Sequence, residues 1–332
     1  MKIKLLYIIF LALLFPTQSK VGTTAAQFLG IGVGSRAMSM GGAFTSMIGD
    51  PSSLYWNPGT IAHIKSDKFQ ITNASWLVDT NWLYGSYIYK INYKSSIAGN
   101  IFYLDYGDEE ITTIYDQDGT GNYWSASDIS TGLYYGSLLT NKFSFGAGIK
   151  YIRQTIYNES ASTIAFDVGL LYKNDSNDFR LGVNISNIGI DINLEGNDLY
   201  IDCDVDPDNS GNNENIPCIL ETEKYPLPIF YRIGISRDNK FSSNLISTTS
   251  IDWVIPSDDV EHLNVGIEIS YYEKLFIRAG YRHIGKEDTE EGLTLGLGTN
   301  LYLFGMDFDI NYTYHDFGVF GHLPYFEFIF NF

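Results

Sequence analysis

The sequence predicts an all-β protein, a fourteen-stranded antiparallel transmembrane β-barrel. Three observations support this: an aromatic C-terminal strand, a succession of segments in which apolar and polar residues alternate, and an ordered sequence of long and short connections. At the C-terminus, Phe326, Phe328, Phe330 and Phe332 fall at every second position, so a strand places all four rings on one face. Such a face suits contact with lipid. The segment alone leaves open a buried last strand of a soluble β-sandwich.

The first nineteen residues have the pattern of an export signal. Lys2 and Lys4 supply positive charge, residues 5–15 form an apolar stretch too short to span a membrane, and Thr17 and Ser19 are small residues suited to a cleavage site. No later stretch approaches the roughly 20 consecutive apolar residues that a transmembrane helix needs. The sequence therefore predicts an exported chain without a helical anchor.

From about residue 67 onward, the chain is a succession of segments with period-2 alternation. In one of them, Val265, Ile267 and Ile269 alternate with Gly266 and Glu268. Each segment has about the length needed to cross a bilayer at a tilt. The predicted segments are 67–76, 81–91, 95–106, 123–137, 142–156, 161–173, 178–188, 227–238, 244–255, 262–272, 275–284, 292–304, 306–315 and 323–332.

The connections between these segments follow the order that a barrel requires. In an even-stranded barrel with both termini in the periplasm, every odd-numbered connection lies outside the cell. The long connections, 107–122, 189–226 and 285–291, follow the third, seventh and eleventh segments. Tight connections follow the second, sixth, tenth and twelfth segments. Transmembrane barrels combine short periplasmic turns with long outer loops, whereas a soluble sandwich has no reason to sort its loops in this way.

Composition agrees with a barrel and excludes one class of partner. Tyr, Phe and Gly are abundant and mean hydropathy is −0.06, as expected for strands that alternate between a lipid-facing and a polar face. The formal net charge of −18 would repel nucleic acid, so we expect no nucleic-acid partner. The apolar faces of the strands predict contact with outer-membrane lipid. Many Gly residues lie on the polar faces, where they often mark close approach of another part of the chain.

Residues 20–65 do not alternate. We expect a short helix over 36–47, a helix start at Asp50 and Pro51, and a turn at Asn57-Pro58-Gly59. The runs G-V-G-S-R-A-M-S-M-G-G-A-F and D-P-S-S-L-Y-W-N-P-G resemble the N-terminal signature of the PorV/PorQ family, which belongs to the FadL-like outer-membrane barrels. The resemblance is close over about 21–62 and extends elsewhere only to architecture.

The resemblance implies that the N-terminal segment folds into the lumen as a hatch. The hatch residues that the motifs single out are Arg36, Asp50, Trp56, Asn57 and Pro58. Gly59 stands where the family usually has Ala, which keeps the turn but loosens the local backbone. Two roles stay open for the hatch residues: packing within the plug, or direct contact with a passing ligand or a partner.

Cys203 and Cys218 are the only two cysteines and lie in one polar segment. In an exported protein, two nearby cysteines favour a disulfide, which here closes part of a large acidic loop near 189–226. The acidic run between the cysteines resembles calcium-binding loops in general but does not match an EF-hand. Its candidate ligands are Asp204, Asp206 and Asp208. A structural calcium ion and a solvated acidic loop are both compatible with the run.

No catalytic pattern stands out, because the five His residues are scattered and no nucleophile or metalloprotease motif occurs. We therefore expect no enzymatic activity and no catalytic residues. The family resemblance implies an interaction component of type IX secretion, which handles cargo at the cell surface and contacts the secretion translocon. The alternative is a FadL-like transporter of hydrophobic small molecules.

The expected organisation has three parts. These are a signal peptide at 1–19, a hatch at 20–65 and an integral outer-membrane barrel at 66–332, with both termini in the periplasm. The terminal Phe332 resembles the signal that the bacterial barrel-assembly machinery recognises, so this machinery is an expected partner.

Overall fold

Alternating residues form a closed wall in the computed structural model, which describes residues 21–78, 80–204, 208, 216–303 and 305–332. The strands are β1 (Lys68–Ser75), β2 (Asn81–Lys90), β3 (Ser95–Glu110), β4 (Tyr123–Leu138), β5 (Phe143–Ile156), β6 (Glu159–Asn174), β7 (Phe179–Gly189), β8 (Glu195–Gly196), β9 (Tyr200–Cys203), β10 (Ile216–Ile219), β11 (Phe230–Ser242), β12 (Leu245–Pro256), β13 (His262–Tyr271), β14 (Leu275–Ile284), β15 (Leu293–Leu303), β16 (Met306–Asp316) and β17 (His322–Asn331). Strands β8, β9 and β10 belong to the connection between β7 and β11.

The remaining fourteen strands form a barrel, as the sequence predicted. Neighbouring strands pair antiparallel, β7 pairs with β11 across the long connection, and β1 pairs with β17. The closing register places Lys68 opposite Asn331 and Ala74 opposite Tyr325. Closure leaves no edge strand in the wall, so its backbone groups are satisfied without water.

The wall is apolar outside and polar inside. On β17, the side chains of Phe326 and Phe328 are 51% and 45% exposed on the outer face, whereas Glu327 between them is 0% exposed in the interior. Other strands repeat this arrangement, which suits a wall that faces lipid on one side and a packed lumen on the other. The predicted aromatic face of the last strand is therefore lipid-facing.

Connections at the two ends of the barrel differ in length. One end, the short-turn end, carries only tight turns, and the other, the long-loop end, carries the connections 111–122, 190–229 and 285–292. The first of these begins later than the predicted 107–122, because β3 continues beyond a register shift after Asp105 and reaches Glu110. The alternation of long and short connections agrees with the sequence-based prediction.

The N-terminal segment, 21–67, contains only short helices. These are a 3-10 helix at Gln27–Gly30, α1 (Ser35–Ser39), α2 (Ser53–Trp56) and a second 3-10 helix at Pro58–His63. The helix expected over 36–47 ends at Ser39, because Gly41 and Gly42 adopt φ values of 66° and 73° that a continuing helix cannot accommodate. No helix among the described residues is both long and apolar enough to span a membrane.

Candidate functional site

Glycines on the inner face of the wall make room for the N-terminal segment. A Cβ atom built on Gly280 would lie 2.1 Å from the backbone N of Gly41, and one on Gly182 would lie 2.2 Å from the carbonyl O of Thr45. The same close approach occurs at Gly146, Gly169, Gly266 and Gly296. These strands therefore need Gly on their inner face, in agreement with the interpretation of the Gly-rich polar faces.

Arg36 lies at the centre of a charged network inside the barrel. Its Nε donates to Glu268 Oε2 at 2.8 Å and its Nη2 donates to Glu268 Oε1 at 2.7 Å, a bidentate pair. Arg278 Nε donates to the same Oε2 at 2.6 Å. Burial by itself would lower the pKa of Arg36, but the carboxylates of Glu268 and Asp50 reverse the effect and raise this pKa above its ordinary value.

The hydrogen bonds of this network form a chain through the wall that begins at Arg36 and ends at Ser35, both on α1. Arg278 Nη1 donates to Asn311 Oδ1 at 2.7 Å, and Asn311 Nδ2 donates to Glu327 Oε1 at 2.9 Å. The other oxygen, Glu327 Oε2, accepts from the backbone N of Ser35 at 2.9 Å. Four strands of the wall thereby hold two successive residues of α1 in place.

The other predicted hatch residues hold the N-terminal segment in its conformation through contacts within the segment and with the wall. These residues are Asp50, Trp56, Asn57 and Pro58. Asp50 Oδ1 accepts from the N of Ser52 at 2.9 Å, and Trp56 Nε1 donates to the O of Val33 at 3.1 Å. Asn57 Nδ2 donates to the O of Thr45 at 2.8 Å and the O of Leu170 at 3.0 Å. Pro58 lies against Gly146, where a built Cβ would be 2.2 Å from the Pro58 O.

Sequence reasoning missed the wall residues that hold this segment. Asp252 Oδ2 accepts from the backbone N atoms of Phe44 and Thr45, both at 2.8 Å. Glu268 and Glu327 were missed as well. Each of these acids stands between two apolar residues of an alternating strand, as in Phe326-Glu327-Phe328. That pattern was the available signal, because it places a charge on the inner face.

His63 illustrates the electrostatics of the lumen. Its Nε2 lies 3.2 Å from Ser144 Oγ. Burial, together with the positive charges of Lys173 and Lys90, lowers the pKa of His63 to about 4. The ring is therefore neutral at neutral pH.

A cavity of about 270 Å³ opens at the long-loop end, between the N-terminal segment, strands β11 to β14 and the connection 285–292. Its lining combines buried aromatic, basic and acidic side chains with the exposed residues Val21 and Gly22. Among the buried lining residues are Met38, Trp56, Arg232 and Arg282. In the loop beside it, burial would raise the pKa of Glu291, but the charge of Arg282 outweighs that effect and lowers it.

The predicted disulfide is confirmed. Cys203 and Cys218 are bonded, with their Cα atoms 5.8 Å apart, and they connect β9 to β10 within the long connection. Asp206 lies outside the described residues. Among the part of the chain that the structure describes, no group of three or more His, Cys, Asp or Glu residues could hold a metal ion. The calcium site at Asp204, Asp206 and Asp208 stays a prediction, and so does the assembly signal at Phe332.

Comparison with known families decides what this barrel is. A family model described as type IX secretion system protein PorV matches residues 16–206, more than half of the chain. The chain belongs to the PorV family. This agrees with the resemblance of the N-terminal motifs. A second model, described as type IX secretion system membrane protein PorP/SprF, matches residues 150–318 of this PorV-family chain. A comparison with curated proteins finds no match.

Solved structures share the fold of the PorV-family chain at low sequence identity. The toluene transporter TbuX of Ralstonia pickettii is 13% identical, with a TM-score of 0.54 over 90% of this chain and 97% of its own. The toluene transporter TodX of Pseudomonas putida gives 13% and 0.54 over 90% and 96%. A FadL homologue of Pseudomonas aeruginosa gives 12% and 0.50 over 95% and 97%. These likenesses establish a FadL-like barrel fold.

Proposed function

We propose that this protein is a component of a type IX secretion system that binds other proteins of that system, including cargo, through its long-loop end. The two family matches carry the proposal, since both families are described as type IX secretion proteins. The filled lumen supports it, because a large partner can reach only the loops. We further propose that the long-loop end faces outward and both termini face the periplasm, as in other outer-membrane barrels.

The connection 190–229 is the most suitable contact surface. Two contacts fix it to the rest of the molecule: Ala25 N donates to the O of Pro226 at 2.9 Å, and β8 pairs with β6. Within the connection, Ile192 pairs with Tyr225 and the disulfide closes the β9–β10 hairpin. Large apolar side chains are nevertheless exposed on it, namely Ile190, Tyr200, Ile219 and Leu220. Exposed apolar residues held on a fixed loop are typical of protein contact sites.

An apolar crevice adjoins this connection. Its volume is about 730 Å³, and it lies between the connection and the parts of β3 to β6 nearest the long-loop end. Trp124, Ile156, Leu194 and Tyr225 contribute to its lining. A crevice of this kind can accept aromatic or aliphatic anchors from a protein partner.

A loop replacement tests the proposal. Residues 204–215 are replaced by Asn-Gly, because Cys203 pairs directly with Ile216 and a two-residue turn can join such a pair. The matched control is a two-glycine insertion at the 243–244 turn, on the short-turn end. Both variants and the wild type are affinity-purified from native outer membranes, and the co-purified type IX proteins are quantified.

We expect the loop replacement to lose co-purified type IX proteins while the insertion retains them. A shift in gel mobility on heating verifies that each variant has formed its barrel. Full partner recovery by an assembled loop replacement would show that residues 204–215 of the connection do not contribute to the contact. Absence of type IX proteins from the wild-type preparation would contradict the proposed function itself.

A transporter of hydrophobic small molecules is the second candidate, favoured by the shared fold with the two toluene transporters. In that case the N-terminal segment, rather than the loop, carries the function. Replacing Asn57 by Ala should then change solute uptake by cells, whereas the loop replacement should leave uptake unchanged. Uptake that is independent of both changes would exclude this candidate.

A further inference from the structure

We propose that the cavity at the long-loop end binds a small organic carboxylate with an apolar body, and that Arg232 holds its carboxylate. This inference goes beyond secretion and does not depend on it. The guanidinium of Arg232 is buried and borders the cavity, but it has no carboxylate partner. Binding at this cavity does not require passage through the barrel.

Arg232 is buried, with 3% of its surface exposed, yet it lines the cavity. Its Nη1 donates to Asn184 Oδ1 at 3.2 Å and to Ser186 Oγ at 2.8 Å, both neutral acceptors. Its Nε is buried and has no hydrogen-bond partner. Among the described residues, no carboxylate oxygen lies within 4.0 Å of this guanidinium, so it has no ion pair. Burying a charge in this way is costly unless a counterion joins it.

Nearby carboxylates are already engaged elsewhere. Asp167 pairs with Lys150 at 2.9 Å. Asp252 accepts from two backbone N atoms of the N-terminal segment through Oδ2, while its Oδ1 has no hydrogen-bond partner. At the cavity itself, Asp258 Oδ2 accepts from Thr24 Oγ1 at 2.5 Å and Gln27 Nε2 at 2.8 Å. Asp167 and Asp252 act on the charge of Arg232 only from beyond ion-pair distance.

The other two cations of the lining differ from Arg232 because each has an acidic partner. Arg282 Nε lies 2.8 Å from Glu291 Oε2 and forms an ion pair with it, although the Nε–H group does not point at this oxygen closely enough for a hydrogen bond. Lys286 Nζ pairs with Asp259 Oδ2. Arg232 is thus the one cation of the described cavity lining that lacks a carboxylate at ion-pair distance.

Aromatic rings surround the guanidinium. Its central carbon lies 4.6 Å from the ring centre of Phe230, 5.4 Å from that of Tyr55 and 5.5 Å from that of Trp56. Together with Met38, these rings give the cavity an apolar lining next to the charge. The rings contribute cation–π attraction and the Tyr55 side chain also hydrogen-bonds to the guanidinium, but none of them supplies the negative charge of a carboxylate.

The lining also restricts the class of ligand. A cavity of about 270 Å³ is slightly smaller than typical ligand sites, which run from about 300 to 1,000 Å³, so the ligand is small. Asp258, Asp259 and Glu291 also line the cavity and would repel a second negative charge. A monoanion with a short aromatic or aliphatic body therefore fits better than a phosphate ester.

Calorimetric titration of the detergent-solubilised, heat-modifiable protein tests the site. The probes are benzoate and hexanoate, with benzyl alcohol as the neutral counterpart of benzoate. The variants are Arg232→Met, Arg232→Lys and the matched control Arg237→Met, whose side chain lies on the same strand but points outward. We expect saturable binding of benzoate or hexanoate, and binding of benzyl alcohol at least about tenfold weaker.

We expect Arg232→Met to weaken carboxylate binding about tenfold or more, Arg232→Lys to restore part of it, and Arg237→Met to bind as the wild type does. If Arg232→Met does not assemble, the comparison of benzoate with benzyl alcohol on the wild type decides. Equal affinities for these two probes, no saturable carboxylate binding, or unchanged binding in an assembled Arg232→Met protein would each overturn the proposal.

Discussion

Single inward-facing acids hold the N-terminal segment in the barrel. Glu268 is the most heavily used of them, because it accepts from both Arg36 and Arg278 and is itself almost fully buried. Asp252 accepts hydrogen bonds from backbone N–H groups of the segment, and Glu327 accepts one from the backbone N–H of Ser35. At the scale of the residue, the N-terminal segment is therefore held by acids that the alternation places on the inner face, although it does not show what they bind.

The two partners of this ion pair should differ in their effect on stability. Glu268→Gln leaves Arg278 without a carboxylate and Arg36 with only the more distant Asp50, 3.9 Å away, and should lower the free energy of unfolding by about 3–5 kcal/mol. Arg36→Met leaves Glu268 paired with Arg278 and should cost less, about 1–3 kcal/mol. Urea unfolding in detergent, followed by the gel-mobility shift, measures both. A larger loss for Arg36→Met than for Glu268→Gln would contradict this account of the network.

His63 should make the barrel less stable in acid. The pKa of this ring is about 4 in the folded protein and about 6.5 when unfolded, so the unfolded chain binds more protons between these values. The stabilising contribution of neutral His63 is complete above pH 6.5 and is lost as the pH falls toward 4. The free energy of unfolding of the wild type should therefore decrease more steeply over this window than that of His63→Gln. Parallel pH profiles would show that the ring does not titrate as proposed.

At the scale of the element, the inner faces of the strands are shaped to the N-terminal segment. Glycines on β5, β6, β7, β13, β14 and β15 meet the segment at distances that exclude a side chain. The segment in turn ends its first helix at two glycines with positive φ, which lets it turn within the lumen. Wall and segment thus fit each other through backbone contacts.

Replacing Gly by Ala should lower the free energy of unfolding at an inward-facing glycine of the wall but not at an outward-facing one. Gly280→Ala places a Cβ 2.1 Å from the N of Gly41 and should lower the free energy of unfolding by about 1–3 kcal/mol through overpacking. The control Gly99→Ala points outward, with nothing closer than 3.6 Å, and should be neutral or slightly stabilising. Urea unfolding compares them. Equal effects would mean that the segment moves aside without cost.

At the scale of the whole molecule, the protein has two separate working regions. The outer wall and the closing strand serve the membrane, and the long-loop end carries both the fixed connection 190–229 and the cavity near Arg232. The packed lumen joins them and fixes the geometry of that end. A protein partner and a small ligand would therefore meet the molecule on the same side.

The terminal residue should matter for assembly more than for stability. Phe332 follows β17, and its backbone N donates to the O of Asp67 at 3.0 Å while its ring stays exposed. Phe332→Ala should lower the amount of heat-modifiable protein in the outer membrane severalfold. The reason is that the terminal Phe resembles the signal that the barrel-assembly machinery recognises. Phe320→Ala, which changes an exposed ring at the long-loop end, is the control. Equal outer-membrane yields for the two variants would argue against the signal.

The sequence by itself determined the barrel. Fourteen alternating segments, their connection lengths and the aromatic last strand predicted the wall, and two cysteines predicted the disulfide. These features are local, because side-chain alternation has a period of two residues and turn lengths can be read along the chain. The family signature near the N-terminus was local as well and agreed with the family match.

Only the tertiary structure decided which residues meet in the lumen. Arg36 and Glu268 are separated by 232 positions, and Ser35 and Glu327 by 292. The contacts of Arg232 with Asn184 and with the rings of Tyr55 and Trp56 also join distant parts of the chain. Such pairings depend on barrel closure and strand register, which are set by all strands together and leave no periodic trace in one segment.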